Sequence, residues 1–464
     1  MKKLITLLLV ALLTAGCAVG PNYKRPSVDV PGIYRGSMPQ QATPPSAESL
    51  GDQKWWELFQ DKQLQALIHT ALQQNYDVRI AATRILEAQA QLGITRADQL
   101  PTISGDAQAL EQRSARTKLF RPFETSTNEV DLSLVWELDF WGKFRRATES
   151  ARASLLAMQW AREAVVSTLV SDVATAYFQL RELDLELEIS RRTLASRQDS
   201  LQLTQTLANG GATSMLDVRQ AEQLVDTAAE TIPDLERRIE QQENFLSTLL
   251  GNNSGPVARG MNLTEQPHAP EVPAGLPSSL LERRPDIRQA EEQLIAANAQ
   301  IGVAKAAYFP QVTLTATGGS QSTALSNLFS GPAGLWALGG SLVQPIFSGG
   351  RLRSGVKLAE ARQQESVLIY RQTIQQAFRG VSDALVEYHK DQEFRQYQQQ
   401  LAFSAQDAAQ LSEMRYKGGA ASYLEVLTNE TNYFSAELGL AQAQLNELLG
   451  LVRIYRNLGG GWHQ

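Results

Sequence analysis

The second half of this chain repeats its first at a spacing of about 209 residues, and a repeat of that length constrains the fold more than any single motif. Asp77-Val78-Arg79 returns as Asp286-Ile287-Arg288, and Ala88-Gln89-Ala90-Gln91-Leu92-Gly93 as Ala297-Asn298-Ala299-Gln300-Ile301-Gly302. Pro101 matches Pro310, Val170-Ser171-Asp172 matches Val381-Ser382-Asp383, and Gly210-Gly211-Ala212 matches Gly418-Gly419-Ala420. One supersecondary unit is therefore built twice. Each copy reads as helix, strand pair, very long helix, tight turn and long return helix.

The first residues stand apart from that unit. Met1-Lys2-Lys3 is a basic start and Leu4 to Leu13 an apolar stretch, too short to cross ~30 Å of hydrocarbon as a helix. That pattern is an export signal. It closes on Leu13-Thr14-Ala15-Gly16-Cys17, which resembles a bacterial lipobox and implies cleavage after Gly16 and a lipid on Cys17. Cys17 is the only cysteine, so it has no internal disulfide partner. Ala18 rather than aspartate follows it, a pattern that implies sorting to the outer membrane. The net charge is −6, with acidic and basic residues interspersed and no Lys/Arg cluster of the kind nucleic acid demands. No mature segment carries eighteen consecutive apolar residues, so any crossing of a membrane must be made by β-strands.

Residues 18–54 are rich in Pro, Gly, Ser and Gln and read as an extended arm. Helices are expected over 61–72 and 77–99, the second ended by Pro101. Val130, Leu132, Leu134, Trp136, Leu138 and Phe140 then alternate with Asp131, Ser133, Val135, Glu137 and Asp139, a period-two strand with one apolar and one acidic face. Val312, Leu314 and Ala316 alternate with threonines in the same way; 102–113 and 335–347 supply the partner strands. Trp136, Trp141 and Trp336 fall near strand ends, where membrane barrels carry aromatic girdles. Asp131, Glu137 and Asp139 are expected to line the wet face. Four strands per chain leave two edges that lipid does not tolerate, so copies from other subunits must close the sheet.

Between Lys143 and Asn209 there is neither Gly nor Pro, and 67 helical residues span roughly 100 Å. Leu180, Leu187, Leu194 and Leu201 recur every seventh residue, which predicts a supercoil seam. The second copy runs from Val356 to Lys417. Return helices start at Ser214 and Ser422, and Pro233 is expected to kink the first of them.

Several stretches resemble the TolC-like outer-membrane efflux factors, in their lipoprotein (NodT-like) branch. They are Cys17-Ala18-Val19-Gly20-Pro21-Asn22-Tyr23, Trp136-Glu137-Leu138-Asp139-Phe140-Trp141-Gly142, Leu281-Glu282-Arg283-Arg284-Pro285-Asp286-Ile287, Gln344-Pro345-Ile346-Phe347-Ser348-Gly349-Gly350, Ser422-Tyr423-Leu424-Glu425-Val426-Leu427 and Leu458-Gly459-Gly460-Gly461-Trp462. The resemblance implies a mixed α/β membrane protein: a homotrimer sharing a twelve-stranded β-barrel in the outer membrane, continued by a periplasmic α-helical barrel. It further implies a periplasmic adaptor and an inner-membrane pump of the RND type as partners. On this reading residues 1–16 are the signal, 17–60 a lipidated arm, 61–250 the first repeat, 251–277 a connector near the equatorial region, and 278–464 the second repeat with its tail. Drug or metal-ion efflux is the first expectation. A type I protein-secretion duct and a non-conducting coiled-coil tether are the alternatives, and strand alternation argues against the tether.

No catalytic or metal-binding set emerges. His69, His268, His389 and His463 are scattered, and no phosphate-cradling glycine loop is present, so neither enzyme activity nor a cofactor is expected. The helix turns are the sharper candidate. The resemblance places the periplasmic gate at Asp217, Leu424 and Glu425, with Thr428 standing where many members carry a second aspartate. It places adaptor contacts at Gly210, Gly211, Ala212, Gly418, Gly419 and Ala420. Each has a plainer reading: Ser214-x-x-Asp217 and Ser422-x-x-Glu425 are capping-box patterns, and the glycines reverse the chain.

Overall fold

The computed structural model describes residues 18–36, 49–116, 121–267 and 272–462. The signal peptide, Cys17, His268 and His463 lie outside the described residues. The principal elements are α1 (Lys62–Gln74), α2 (Tyr76–Ala97), β1 (Thr102–Arg113), β2 (Glu124–Leu138), α3 (Lys143–Asn209) and α4 (Met215–Leu249). The second series is α5 (Pro277–Arg283), α6 (Pro285–Ala306), β3 (Gln311–Ser322), β4 (Gly334–Val343), α7 (Arg351–Lys417) and α8 (Tyr423–Asn457). The repeat is metrically faithful: α2 and α6 have 22 residues each, α3 and α7 have 67, and α4 and α8 have 35. Helix α4 runs from Met215 to Leu249 with Pro233 inside it. No helix among the described residues is long and apolar enough to cross a membrane.

One compact unit comprises Met1–Ser27, Thr83–Gln159 and Gln289–Arg371. Its sheet is antiparallel throughout, in the order β1-β2-β3-β4. The register sets Leu134 beside Ile103 and Ala316, Leu132 beside Gly105 and Gly318, and Val130 beside Ala107 and Ser320, a continuous apolar or small-residue row. The opposite face carries Asp131 between Asp106 and Gly319, and Ser133 between Ser104 and Thr317. Strand β4 stops at Val343, short of the expected Phe347, because the proline of Gln344-Pro345 cannot donate to the ladder.

The acidic row expected on the wet face is shorter than the alternation suggests. Glu137 pairs with Lys143 at 3.0 Å. Asp139 lies beyond the strand and accepts from the Phe144 and Arg145 amides at 3.2 and 2.9 Å, satisfying the start of α3. Asp131 and Glu137 both keep to the sheet face, Asp131 directly opposite Asp106 and Glu137 beside Thr313, so only Asp139 leaves the row. Trp141 also departs from expectation. It stacks on Phe309 with centroids 4.8 Å apart and donates its indole N–H to the Pro310 carbonyl at 2.8 Å, so it packs the strand–helix junction.

The start of the extended arm is pinned. The Val19 amide donates to the Trp141 carbonyl at 3.0 Å. Buried Arg146 donates to the Val19 and Gly20 carbonyls and, at 2.8 Å, to Asn22 Oδ1. Arg25 forms a fork on Glu291 at 2.6 and 2.7 Å, the bidentate geometry that favours arginine. Gly20 has φ +106°, and a Cβ there would stand 2.5 Å from the Gly302 Cα, so only glycine lets the arm pass.

The other unit comprises Val28–Ala82, Trp160–Arg288 and Gln372–Gln464. Its organising polar residue is Asp61, buried at the start of α1. The carboxylate accepts from the Tyr177 hydroxyl at 2.7 Å, the Gln266 amide at 3.1 Å, and the backbone of Gln63 and Met261. Burial pushes its pKa up, but those donors together outweigh burial and hold it below the usual value. A depressed folded pKa contributes stability that is complete above the unfolded carboxylate range, near about 4, and is lost as pH falls through the folded value. Asp61→Asn keeps the shape but turns a donor toward donors. We expect it to cost about 2–3 kcal/mol in neutral-pH denaturation and to flatten the acid limb of the stability profile.

Along α3 the buried seam is Leu169, Ala176, Leu183, Ser190, Arg197 and Thr204, each seven residues after the last. The leucine row expected there is displaced: Leu180 is buried, but Leu187, Leu194 and Leu201 are only half-buried. The seam thus turns polar toward the end of the helix, which fixes register at some cost in stability.

Candidate functional site

Both long helices end in the same chemistry. Gly211 has φ +74° and Gly419 φ +71°, conformations glycine adopts without strain. The Ala212 amide donates to the Leu207 carbonyl and the Ala420 amide to the Arg415 carbonyl, each at 2.8 Å, closing Schellman turns. A side chain at Gly211 or Gly419 would meet nothing within 4 Å, so space does not select glycine there; backbone conformation does.

Beyond the turns the two hairpins diverge. Ser214 caps α4 in a complete capping box, its side chain bonded to the Asp217 amide and Asp217 reaching back to the Ser214 amide. Asp217 also takes a hydrogen bond from the Thr213 hydroxyl, and Thr213 is in turn reached by the Tyr416 hydroxyl at 3.4 Å. The matching box at Ser422 does not form: Ser422 makes no side-chain cap. Glu425 turns instead to Arg415 on α7, Nε to Oε1 at 3.2 Å, with both side chains substantially exposed. The carboxylate with a free cap to fill is claimed by a cation across the turn. Thr428 bonds the Leu424 carbonyl at 2.8 Å and presents no charge. Leu424 is exposed, as are Met215 and Leu216 at the start of α4.

The two carboxylates should therefore differ in what their loss costs. Asp217→Ala is expected to cost about 1 kcal/mol through the lost cap, while Glu425→Ala loses only an exposed ion pair and stays within about 0.5 kcal/mol. Thermal unfolding of the two variants measures this directly; equal losses would mean that Glu425 caps after all.

Behind the turns, Tyr423 packs with Ala221, Leu224 and Val426, and its ring meets Tyr416 edge-on at 5.2 Å. Arg197 crosses between helices there, unflagged by the sequence because arginine at a seam position looks like a solvated residue. Its Nη1 donates to the Leu224 carbonyl at 2.8 Å, its guanidinium lies over Phe434 at 5.0 Å, and Glu430 sits at 4.0 Å. Burial lowers the Arg197 pKa and raises that of Glu430. Nothing in this arrangement aligns a nucleophile, a base and an oxyanion donor. Among the described residues no three His, Cys, Asp or Glu side chains are grouped to hold a metal.

Known proteins share this architecture. The family profile described as outer membrane efflux protein matches residues 67–252 and 276–460. The probable efflux pump outer membrane protein TtgC of Pseudomonas putida is 35% identical over 467 residues, covering 100% of this chain and 96% of that protein. The cation efflux system protein CusC of Escherichia coli is 35% identical over 461 residues, covering 98% of each. The open-state MtrE outer membrane channel of Neisseria gonorrhoeae superposes with a TM-score of 0.87 at 31% identity, covering 96% of this chain and 99% of that one.

Proposed function

From the premise that this chain belongs to the outer membrane efflux protein family, we propose that three copies close a twelve-stranded barrel in the outer membrane and bundle their long helices into a passive exit duct through the periplasm. The observation that carries this reading is the four-stranded sheet itself. Edges β1 and β4 lack partners within the described chain, and the outward row Leu132, Leu134 and Trp136 needs an apolar surround. The duct has no energy source of its own. An inner-membrane pump of the RND type supplies direction and a periplasmic adaptor carries cargo to the turns. Relatives of similar identity are named for an efflux pump and for a cation efflux system, which fits a duct that does not itself select drugs, toxic compounds or metal ions.

Cys17 carries the lipid anchor in this proposal. The closed end is the pair of turns: Leu424 and Glu425 face their symmetry copies, Thr428 narrows the path without charge, and Asp217 braces the first turn. Gly210, Gly211, Ala212, Gly418, Gly419 and Ala420 offer the adaptor backbone unobstructed by side chains. Purified protein in detergent should run as a trimer with no folded monomer, and should conduct little in a planar bilayer until the turns part. Glu425→Gln should raise conductance and change cation selectivity, because Arg415 loses the carboxylate that holds it across the turn. A monodisperse, heat-stable monomer by mass measurement would refute the shared barrel.

A further inference from the structure

Charge is distributed unevenly between the two ends of the sheet. At the strand–helix junction Glu137 is matched by Lys143, and Asp139, just past β2, by Arg145 at 3.4 Å. At the hairpin end the cations outnumber the acids, with Glu111 and Glu124 the carboxylates nearest the loop. The loop joining β1 to β2 carries Arg116 and Arg121, with Arg113 at its base, and no acidic residue stands between Arg113 and Glu124. Arg116 and Arg121 are exposed and have no carboxylate partner among the described residues. Arg113 meets Glu124 at 3.4 Å, but with side chains 70% and 75% exposed that pair contributes little and can be exchanged. The base of the loop is ordered, for the Ser114 amide donates to the Phe123 carbonyl and the Phe123 amide to the Ser114 hydroxyl, both at 2.9 Å. The neighbouring loop between β3 and β4 carries no charge and exposes Leu325 and Phe329.

Register says which way Arg113 faces. Arg113 belongs to the row of Ile103, Gly105 and Ala107, which is apolar opposite Leu134, Leu132 and Val130 and turns polar toward the hairpin through Glu111, Asn128, Ser126 and Glu124. It therefore stands on the lipid side of the sheet, not the wet side. Height follows from strand geometry. Trp136, at the junction end of that row, is twelve residues along β2 from Glu124, the partner of Arg113. At ~3.4 Å per residue that is ~40 Å of strand, and at a tilt of ~40° it is ~30 Å of height. This equals the hydrocarbon thickness of a bilayer, ~30 Å. With Trp136 at one interface, Arg113 reaches the headgroups of the other.

We infer that Arg113, Arg116 and Arg121 form a cationic rim that binds the phosphate groups of a phosphorylated glycolipid in the outer leaflet. Guanidinium forks suit phosphate oxygens in charge and geometry. Trimer symmetry would repeat the rim three times around the barrel. The inference rests on the outer-membrane reading above, which supplies the orientation of the hairpins.

The test titrates delipidated trimer in detergent with diphosphoryl lipid A, dephosphorylated lipid A, phosphatidylglycerol and phosphatidylethanolamine, and counts adducts by native mass spectrometry. Wild-type protein should prefer the diphosphoryl form at least tenfold. The triple variant R113S/R116S/R121S should lose that preference, while R113K/R116K/R121K retains part of it. Equal binding of phosphatidylglycerol, or an unchanged preference in the serine variant, would overturn the rim. Trimer mass and bilayer conductance are read on the same samples. If both persist while the preference is absent, only the rim fails; if both are absent from the wild type, the barrel reading fails and takes the rim with it.

Discussion

Leu132→Arg should prevent the trimer from accumulating in the outer membrane, while Ser133→Arg, one residue further along the same strand, should be tolerated. The two positions have opposite faces. Leu132 stands in the outward row between Gly105 and Gly318, exposed on the isolated chain; Ser133 faces Ser104 and Thr317 on the wet side. An arginine on the lipid face near mid-membrane costs about 2–4 kcal/mol. Symmetry places it three times in one barrel, so the total approaches the whole stability of an ordinary domain, about 5–15 kcal/mol. Glycines on both neighbouring strands leave the new side chain no polar group to fold against. On the wet face the same arginine is solvated, and lies two residues along the face from Asp131, which stands opposite Asp106, so that it can partly neutralise both. Membrane fractions probed for heat-modifiable trimer distinguish the outcomes. Equal accumulation of both variants would mean that the rows have been assigned to the wrong faces.

How far such an assignment could be made from the sequence depended on how many partners each element has. A strand has two faces and a period of two, so Val130 to Leu138 declared its outward row without a structure. The glycine pairs at 210–211 and 418–419 declared their turns because an L side chain is penalised at positive φ. The long helix α3 was harder. Its period was plain, yet its phase was not, because a helix packed on several neighbours buries more than one stripe, and the half-buried leucines at 187, 194 and 201 stood out over the buried Ser190, Arg197 and Thr204. Charged partners were least legible of all. Ser422 and Glu425 have the spacing of a cap, and only the position of Arg415 across the turn diverts the carboxylate. Glu137 and Asp139 likewise have the alternation of a wet face, but lie within reach of the cations that open α3. The arm read only as an extended segment for the same reason: Glu291 and Arg146, which pin its start, are far away in sequence.

That pinned arm sharpens the expectation for the lipid anchor. Cys17→Ala should abolish incorporation of labelled fatty acid and leave the precursor with its first sixteen residues attached, because no other thiol exists to be acylated. The neighbouring residue is already fixed: Ala18 abuts Gly142, whose added Cβ would stand 2.7 Å from the Ala18 Cα, and Val19 is bonded to Trp141. A lipid on Cys17 would thus enter the bilayer beside the strand–helix junction, where it adds about 0.8 kcal/mol per buried methylene to the anchoring already provided by the strands. A second variant separates chemistry from fold. Arg146→Ala frees the arm from its buried clamp without touching the thiol, so it should keep full labelling. It should, however, make the segment 18–25 accessible to protease in the purified trimer. Labelling retained in Cys17→Ala would place the acyl group elsewhere and end the lipoprotein reading. Labelling lost in Arg146→Ala would mean that acylation depends on the docked arm rather than on the thiol and its flanking residues alone.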